Sequence, residues 1–171
     1  MRIANRFDHS GWQIGAALLL ALFCSLQNAN AQTPQQWVEW GDRAHGGFGS
    51  LIAYGIRIGL DAMDRLDAER RELDVVFTDG PQSPCACIAD GVAIAVSASL
   101  GQRTLSMNPE RTAEGELGRV HFTHRETGRT LTYVLPQSAL PLMQAINREE
   151  VVVERFDAVM ELDSGLLYQV E

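Results

Sequence analysis

From Leu51 to Leu66 the apolar positions Ile52, Ile56, Leu60, Met63 and Leu66 recur at helical spacing, while Asp61, Asp64 and Arg65 mark a wet side. The pattern predicts an amphipathic helix, and Ser50 is placed to cap its start. Gly55 and Gly59 lie four apart on it. Each costs about 1 kcal/mol of helix stability relative to alanine, so close contact with another element is expected to compensate. Before this helix, Gln35 to Ala44 reads as a short helix with Trp37 and Trp40 on one packing face. His45-Gly46-Gly47-Phe48-Gly49 breaks it, because three glycines in five residues let the backbone turn sharply.

After the long helix the period changes. Leu73 to Thr78 is a strand bounded by the Asp79-Gly80-Pro81 turn. Ser83-Pro84 reads as an N-cap followed by proline at the first helical position. That would place Cys85 and Cys87 in the first turn of a helix running to about Ser99, small and apolar nearly all round, as in a buried helix. Arg103 to Met107, Arg119 to His124 and Arg129 to Leu135 follow as three antiparallel strands, the last two joined by Arg125-Glu126-Thr127-Gly128 as a hairpin. Ser138 to Asn147 and Glu149 to Leu162 read as helices, and Leu166 to Val170 as a closing strand. This order predicts one α+β domain over residues 32–171, with a mixed, largely antiparallel sheet and helices packed mainly on one face.

The first 31 residues are set apart by composition. Arg2 and Arg6 precede an apolar core from Ile14 to Phe23, and Ala29-Asn30-Ala31 has the A-x-A form of a cleavage site. Cleavage after Ala31 and a periplasmic or secreted address are therefore expected, with no membrane association once the leader is gone. From Gln32 onward the chain carries 12 basic and 21 acidic residues, which argues against nucleic acid or an anionic membrane as partner. Every basic side chain besides histidine is arginine, so Schiff-base chemistry by lysine is excluded.

An exported chain without Cys24 keeps only Cys85 and Cys87, one residue apart. A bridge across that spacing is geometrically strained, so a structural disulfide is not expected. Metal ligation, a reactive thiol pair, a bond to another chain and two inert thiols remain as readings. At a helix N-terminus the unpaired N–H groups favour thiolate, which is both nucleophile and soft-metal ligand. Cys85 and Cys87 with His45 would give two sulfurs and one nitrogen, a set suited to Zn²⁺ or Cu⁺ with one position open. Asp90 follows in the same turn. His121 and His124 are three apart on a strand, point to opposite faces and are treated as surface residues. Met107 is expected in the core. No G-x-S-x-G, H-E-x-x-H, P-loop or dinucleotide fingerprint is present.

Taken together, these segments resemble the FmdE family, whose name comes from a component of formylmethanofuran dehydrogenase. Its members open with a His-Gly-His-x-Cys-Pro-Gly turn into a helix carrying Gly and Arg; here His45-Gly46-Gly47-Phe48-Gly49-Ser50-Leu51 leads to Gly55 and Arg57. They continue with a Cys three residues before an Asp, an apolar helix, then Gly-Cys-Thr-x-Gly and a strand; here stand Cys87, Asp90, Ser97-Ala98-Ser99-Leu100-Gly101 and Leu105. The resemblance runs from about Trp37 to Val170 and implies the family's α+β domain, a homodimer, and a metal or cofactor site between the His-Gly turn and the cysteine helix. Gly47 stands for the family's second His, Gly49-Ser50 for its Cys-Pro and Ala98 for its later Cys, while Cys85 is an addition. The functional expectation is an exported accessory protein binding a metal or a small cofactor, without the dehydrogenase activity itself. His45, Cys85 and Cys87 would hold a metal, and Arg57, Asp79 and Asp90 would assist a cofactor. The alternatives are an enzyme with Cys87 as nucleophile, served by Asp90 and His45, and a non-catalytic partner-binding domain whose metal site has decayed.

Overall fold

A computed structural model of the chain describes residues 32–171; the expected leader at 1–31 and its Cys24 lie outside the described residues. Six helices and five strands are described, in the order α1 (Pro34–His45), α2 (Ser50–Leu66), β1 (Leu73–Asp79), α3 (Cys87–Val96), β2 (Leu105–Met107), β3 (Glu116–His124), β4 (Thr130–Pro136), α4 (Ala139–Ile146), α5 (Val152–Glu161), α6 (Ser164–Leu167) and β5 (Gln169–Val170). The α+β class and the mixed sheet agree with the sequence reading. Among the described residues no helix is long and apolar enough to cross a membrane.

The strands form one sheet in the order β2-β1-β3-β4-β5. The strand read as antiparallel at Arg103–Met107 is instead the three-residue β2, parallel to β1 with Leu105 opposite Val75. The crossover through α3 explains the difference: a strand that leaves the sheet by a helix on one face returns in the same direction. The other neighbours are antiparallel, including the β3–β4 hairpin. The closing strand is also shorter than read, because Ser164–Leu167 forms a turn of helix, capped by the Asp163 side chain, before β5. Leu73, Val75, Phe77, Val120, Phe122, Tyr133 and Leu135 are buried on the inner face, while Asp74, Val76, Arg119, His121 and Thr132 alternate with them half-exposed on the other. That alternation is the mark of a sheet covered by helices on one side.

Helices α2 and α3 meet at their backbones. A Cβ on Gly55 would lie 2.9 Å from Gly91 Cα and 2.8 Å from Val92 N, and one on Gly91 would lie 2.9 Å from Ile56 N. The contact expected from Gly55 and Gly59 is therefore with α3, and Gly91 is its other half. It seats the first turn of α3 against the first half of α2.

The start of α2 is held from a distance. Gly49, not Ser50, is the N-cap residue, and it gives no side-chain bond. Asn147 Oδ1, just past α4, accepts from Ser50 N at 2.8 Å, and the buried Ser50 hydroxyl donates to Met143 O at 2.8 Å. Replacing Asn147 by Ala removes an N-terminal cap and is expected to cost about 1 kcal/mol. A urea midpoint unchanged in Asn147→Ala would show that the bond carries no stability.

A candidate redox and ligand cavity

Gly46, at φ +86°, ends α1 in the left-handed conformation that glycine adopts without penalty, and its N–H bonds Asp42 O at 2.8 Å. His45 thus becomes the last residue of α1 instead of part of a free turn. Its Nδ1 lies 2.7 Å from Asp90 Oδ2, in the first turn of α3. A carboxylate at a helix N-terminus suits the local dipole, and its bond to His45 tacks α1 onto α3. With Nδ1 donating to the carboxylate, Nε2 is the nitrogen left as acceptor.

His45, Cys85, Cys87 and Asp90 line one cavity of about 300 Å³, together with Leu100, Leu105 and Met107. Four of the six residues singled out in the sequence are therefore brought together. The other two are not. Arg57 lies on the side of α2 that faces α5, and its Nη1 donates to Val159 O at 2.6 Å. Asp79, at the end of β1, accepts from Arg111 Nη1 at 2.6 Å and fastens the loop after β2. Both tie elements together, and neither is among the residues that line this cavity.

Cys85 and Cys87 form a disulfide. That a bridge forms at this spacing, against expectation, follows from where α3 begins. Ser83 and Pro84 do not start the helix: the Ser83 hydroxyl donates to Cys85 O at 2.9 Å, and α3 begins at Cys87 with Ala86 as N-cap residue. At Ala86 the backbone bends into the sparsely occupied bridge region, φ −81° and ψ 24°. The bend leaves the cysteine Cα atoms 5.3 Å apart, within the ordinary range for a disulfide.

The bridge changes what the cavity can hold. Sulfur in a disulfide carries no thiolate charge, so in this state the cavity offers one imidazole nitrogen and one carboxylate. Among the described residues, no group of three or more His, Cys, Asp or Glu is placed to hold a metal ion. The set as it stands therefore does not fit Zn²⁺ or Cu⁺; only the dithiol form would present two sulfurs beside His45. Ala98, standing for the family's later cysteine, is 8 % exposed and belongs to the core, not to the cavity lining.

Two further corrections concern residues near the sheet. Met107 is 44 % exposed and lines the cavity, at the end of the edge strand β2. His124 is buried at 4 % on the inner face, where its Nδ1 accepts from Glu126 N at 3.2 Å inside the hairpin turn. His121 does lie on the opposite face, paired with Thr132 at 2.9 Å. A larger cavity of about 720 Å³ beside His124 is lined by acidic side chains and contains none of the residues singled out for the site.

Residues 44–162 match the family model described as FmdE, Molybdenum formylmethanofuran dehydrogenase operon. No curated protein matches the chain.

Proposed function

We propose, for a chain that belongs to the FmdE family, an exported accessory protein that binds a small ligand in the cavity between the end of α1, the start of α3 and the edge strand β2. The family's description ties it to the formylmethanofuran dehydrogenase operon, which supports an accessory role related to that enzyme. One observation carries the reading to this cavity: four side chains from two helices and the turn before α3, His45, Cys85, Cys87 and Asp90, converge on it, and His45 and Asp90 already orient each other. The ligand is a metal ion, or a small molecule containing one, taken up in the dithiol state. Cys85, Cys87 and His45 would hold it, and Asp90 would fix the imidazole, the part that a carboxylate commonly plays for a ligating histidine. A bound Zn²⁺ would act there as an electron-pair acceptor.

The measurement is metal content by elemental analysis, on untagged protein prepared with and without a reductant. Stoichiometric Zn²⁺ in the reduced protein is expected, with none in the oxidised protein and none in the Cys85→Ser/Cys87→Ser double variant. Equal, substoichiometric metal in all three would sink the reading and favour a decayed site. Gly47→His adds a second test. It restores the family's second histidine where a Cβ would meet nothing within 4 Å, and should tighten metal retention by the reduced chain.

A further inference from the structure

The Cys85–Cys87 bridge lies in the wall of an open cavity and not in the core, and both residues are only half-buried. A bridge across a single residue closes a very short loop, where the loss of unfolded-chain entropy that makes disulfides stabilising is small. Stabilisation therefore gives little reason for this pair, whereas accessible bridges are the ones that react.

The two sulfurs are placed differently. Cys87 is the first residue of the ten-residue helix α3, whose opening N–H groups receive no side-chain cap. A thiolate released there meets the positive end of the helix, which makes Cys87 the better leaving group. Cys85 precedes the helix. The cavity lip beside them is apolar: Leu100 is 72 % and Met107 44 % exposed, and Leu105 lies between them in the lining. The half-exposed Asp90 carboxylate and a net charge of −8 disfavour anionic thiols at the same place.

We propose that Cys85 and Cys87 are a redox-active pair that exchanges a disulfide with cysteine pairs in apolar, uncharged peptide segments. The substrate thiolate attacks Cys85 Sγ; the Cys85–Cys87 bond breaks and its electron pair stays on Cys87 Sγ. The mixed disulfide is then attacked by the substrate's second thiolate at the substrate's own sulfur, which expels Cys85 Sγ. The peptide leaves as a disulfide, oxidised by two electrons, and Cys85 and Cys87 remain as thiols. The two protons lost by the substrate thiols reach the cysteine sulfurs through water. A second, more oxidising disulfide compound restores the bridge by the same steps in reverse. None of these steps uses a bound metal, so the proposal stands or falls independently of ligand binding.

The test uses the full chain carrying Cys24→Ser, so that only the pair reacts. Its redox state is followed by thiol alkylation and mass measurement. Against a neutral apolar peptide with two cysteines, the bridge is expected to react about tenfold faster than the disulfide of a free Cys-Ala-Cys peptide, through the better leaving group. The peptide dithiol should also outpace glutathione at matched thiolate concentration. Cys87→Ser, offered the same peptide with a single cysteine activated as its glutathione mixed disulfide, should expel glutathione and hold the peptide as a stable mixed disulfide on Cys85, since neither Cys87 nor a second peptide thiol is there to release it. A bridge reduced no faster than that of the free peptide, or only in denaturant, overturns the proposal on the unmutated pair. Failure of Cys87→Ser to trap the peptide while folded, judged by circular dichroism, overturns the assignment of roles. Equal rates with glutathione overturn the substrate class.

Discussion

Replacing Gly55 by alanine is expected to lower the stability of the protein by about 3 kcal/mol, the upper range for overpacking a tight interior contact. The new Cβ would meet backbone on α3, 2.8 Å from Val92 N and 2.9 Å from Gly91 Cα. Backbone cannot rotate away as the end of a side chain can, so the two helices must separate. Helix propensity works in the opposite direction, since alanine is better than glycine there by about 1 kcal/mol. The packing cost is larger, and it decides the sign. For a domain of this size a loss of about 3 kcal/mol corresponds to a fall in Tm of roughly 10 °C. Gly91→Ala meets the same contact from the other side and should cost about as much. The double variant should cost less than the sum of the singles, because one separation of α2 from α3 relieves both clashes. Gly47→Ala is the control: its Cβ meets nothing within 4 Å, and its Tm should stay within a few degrees of the wild type. Thermal melts of the four variants decide the matter. A Gly55→Ala protein as stable as the Gly47→Ala control would mean that the close approach of α2 and α3 is not a constraint on the fold. Since α3 carries Cys87 and Asp90, the same separation should also loosen the His45–Asp90 bond and speed alkylation of the reduced cysteines.

The sequence made this contact visible and hid others of similar weight, and the difference lies in range. A glycine inside an amphipathic helix carries a local cost that only close packing offsets, so Gly55 and Gly59 could be read without knowing the partner. The convergence of His45 with Cys87 and Asp90 was also legible, because both stretches lie at helix ends and the family pattern pairs them. The bridge was not. It depends on one backbone bend at Ala86, which shifts the helix start from Ser83-Pro84 to Cys87, and boundaries are set by a few backbone angles that hydrophobic periodicity does not report. The apolar lip of Leu100, Leu105 and Met107 was hidden for another reason: a three-residue strand has the same pattern whether central or at the edge, and only the parallel pairing of β2 with β1 puts it at the edge. Arg57 and Asp79, expected to assist a cofactor, bond groups distant in the sequence, Val159 O for Arg57 and Arg111 for Asp79, and no local pattern reports such ties. The bond of Asn147 to Ser50 likewise spans 97 residues and leaves no local signature.

Above about pH 10 the protein is expected to lose stability steeply, with Tyr54 and Tyr133 carrying most of the loss. Both side chains are fully buried. Burial raises the Tyr54 phenol far above its ordinary value, with the neighbouring Tyr168 adding to it, and the Tyr54 hydroxyl donates to Leu167 O. Tyr133 is raised first by burial, then by its 2.6 Å bond to Asp61 Oδ2 and the charge of that carboxylate. Tyr168 is raised in the same direction, chiefly by burial and then by Asp61. The sign follows from proton binding. Above the ordinary phenol value the unfolded chain releases these protons while the folded chain keeps them, so ∂ΔG/∂pH is negative. The contribution is complete below about pH 10 and falls as pH rises toward the folded values, by on the order of 1 kcal/mol per pH unit for each tyrosine. Two such groups remove roughly 5 kcal/mol over about two pH units, against a net stability of about 5–15 kcal/mol for a typical domain. Urea midpoints taken between about pH 8 and about pH 12 should therefore fall with a slope of two or more protons. Tyr133→Phe should lower stability by about 1 kcal/mol near pH 8 through the lost bond to Asp61, yet reduce the alkaline slope by about one proton. The two curves should converge as pH rises. Tyrosinate absorbance supplies the decisive comparison: it should appear together with the loss of circular dichroism, because these phenols ionise only as the fold opens. Ionisation of all three tyrosines near the ordinary phenol value in a protein still folded would show that Asp61, Tyr133 and Tyr168 are open to water, and the packing of α2 on β4 would need to be redrawn.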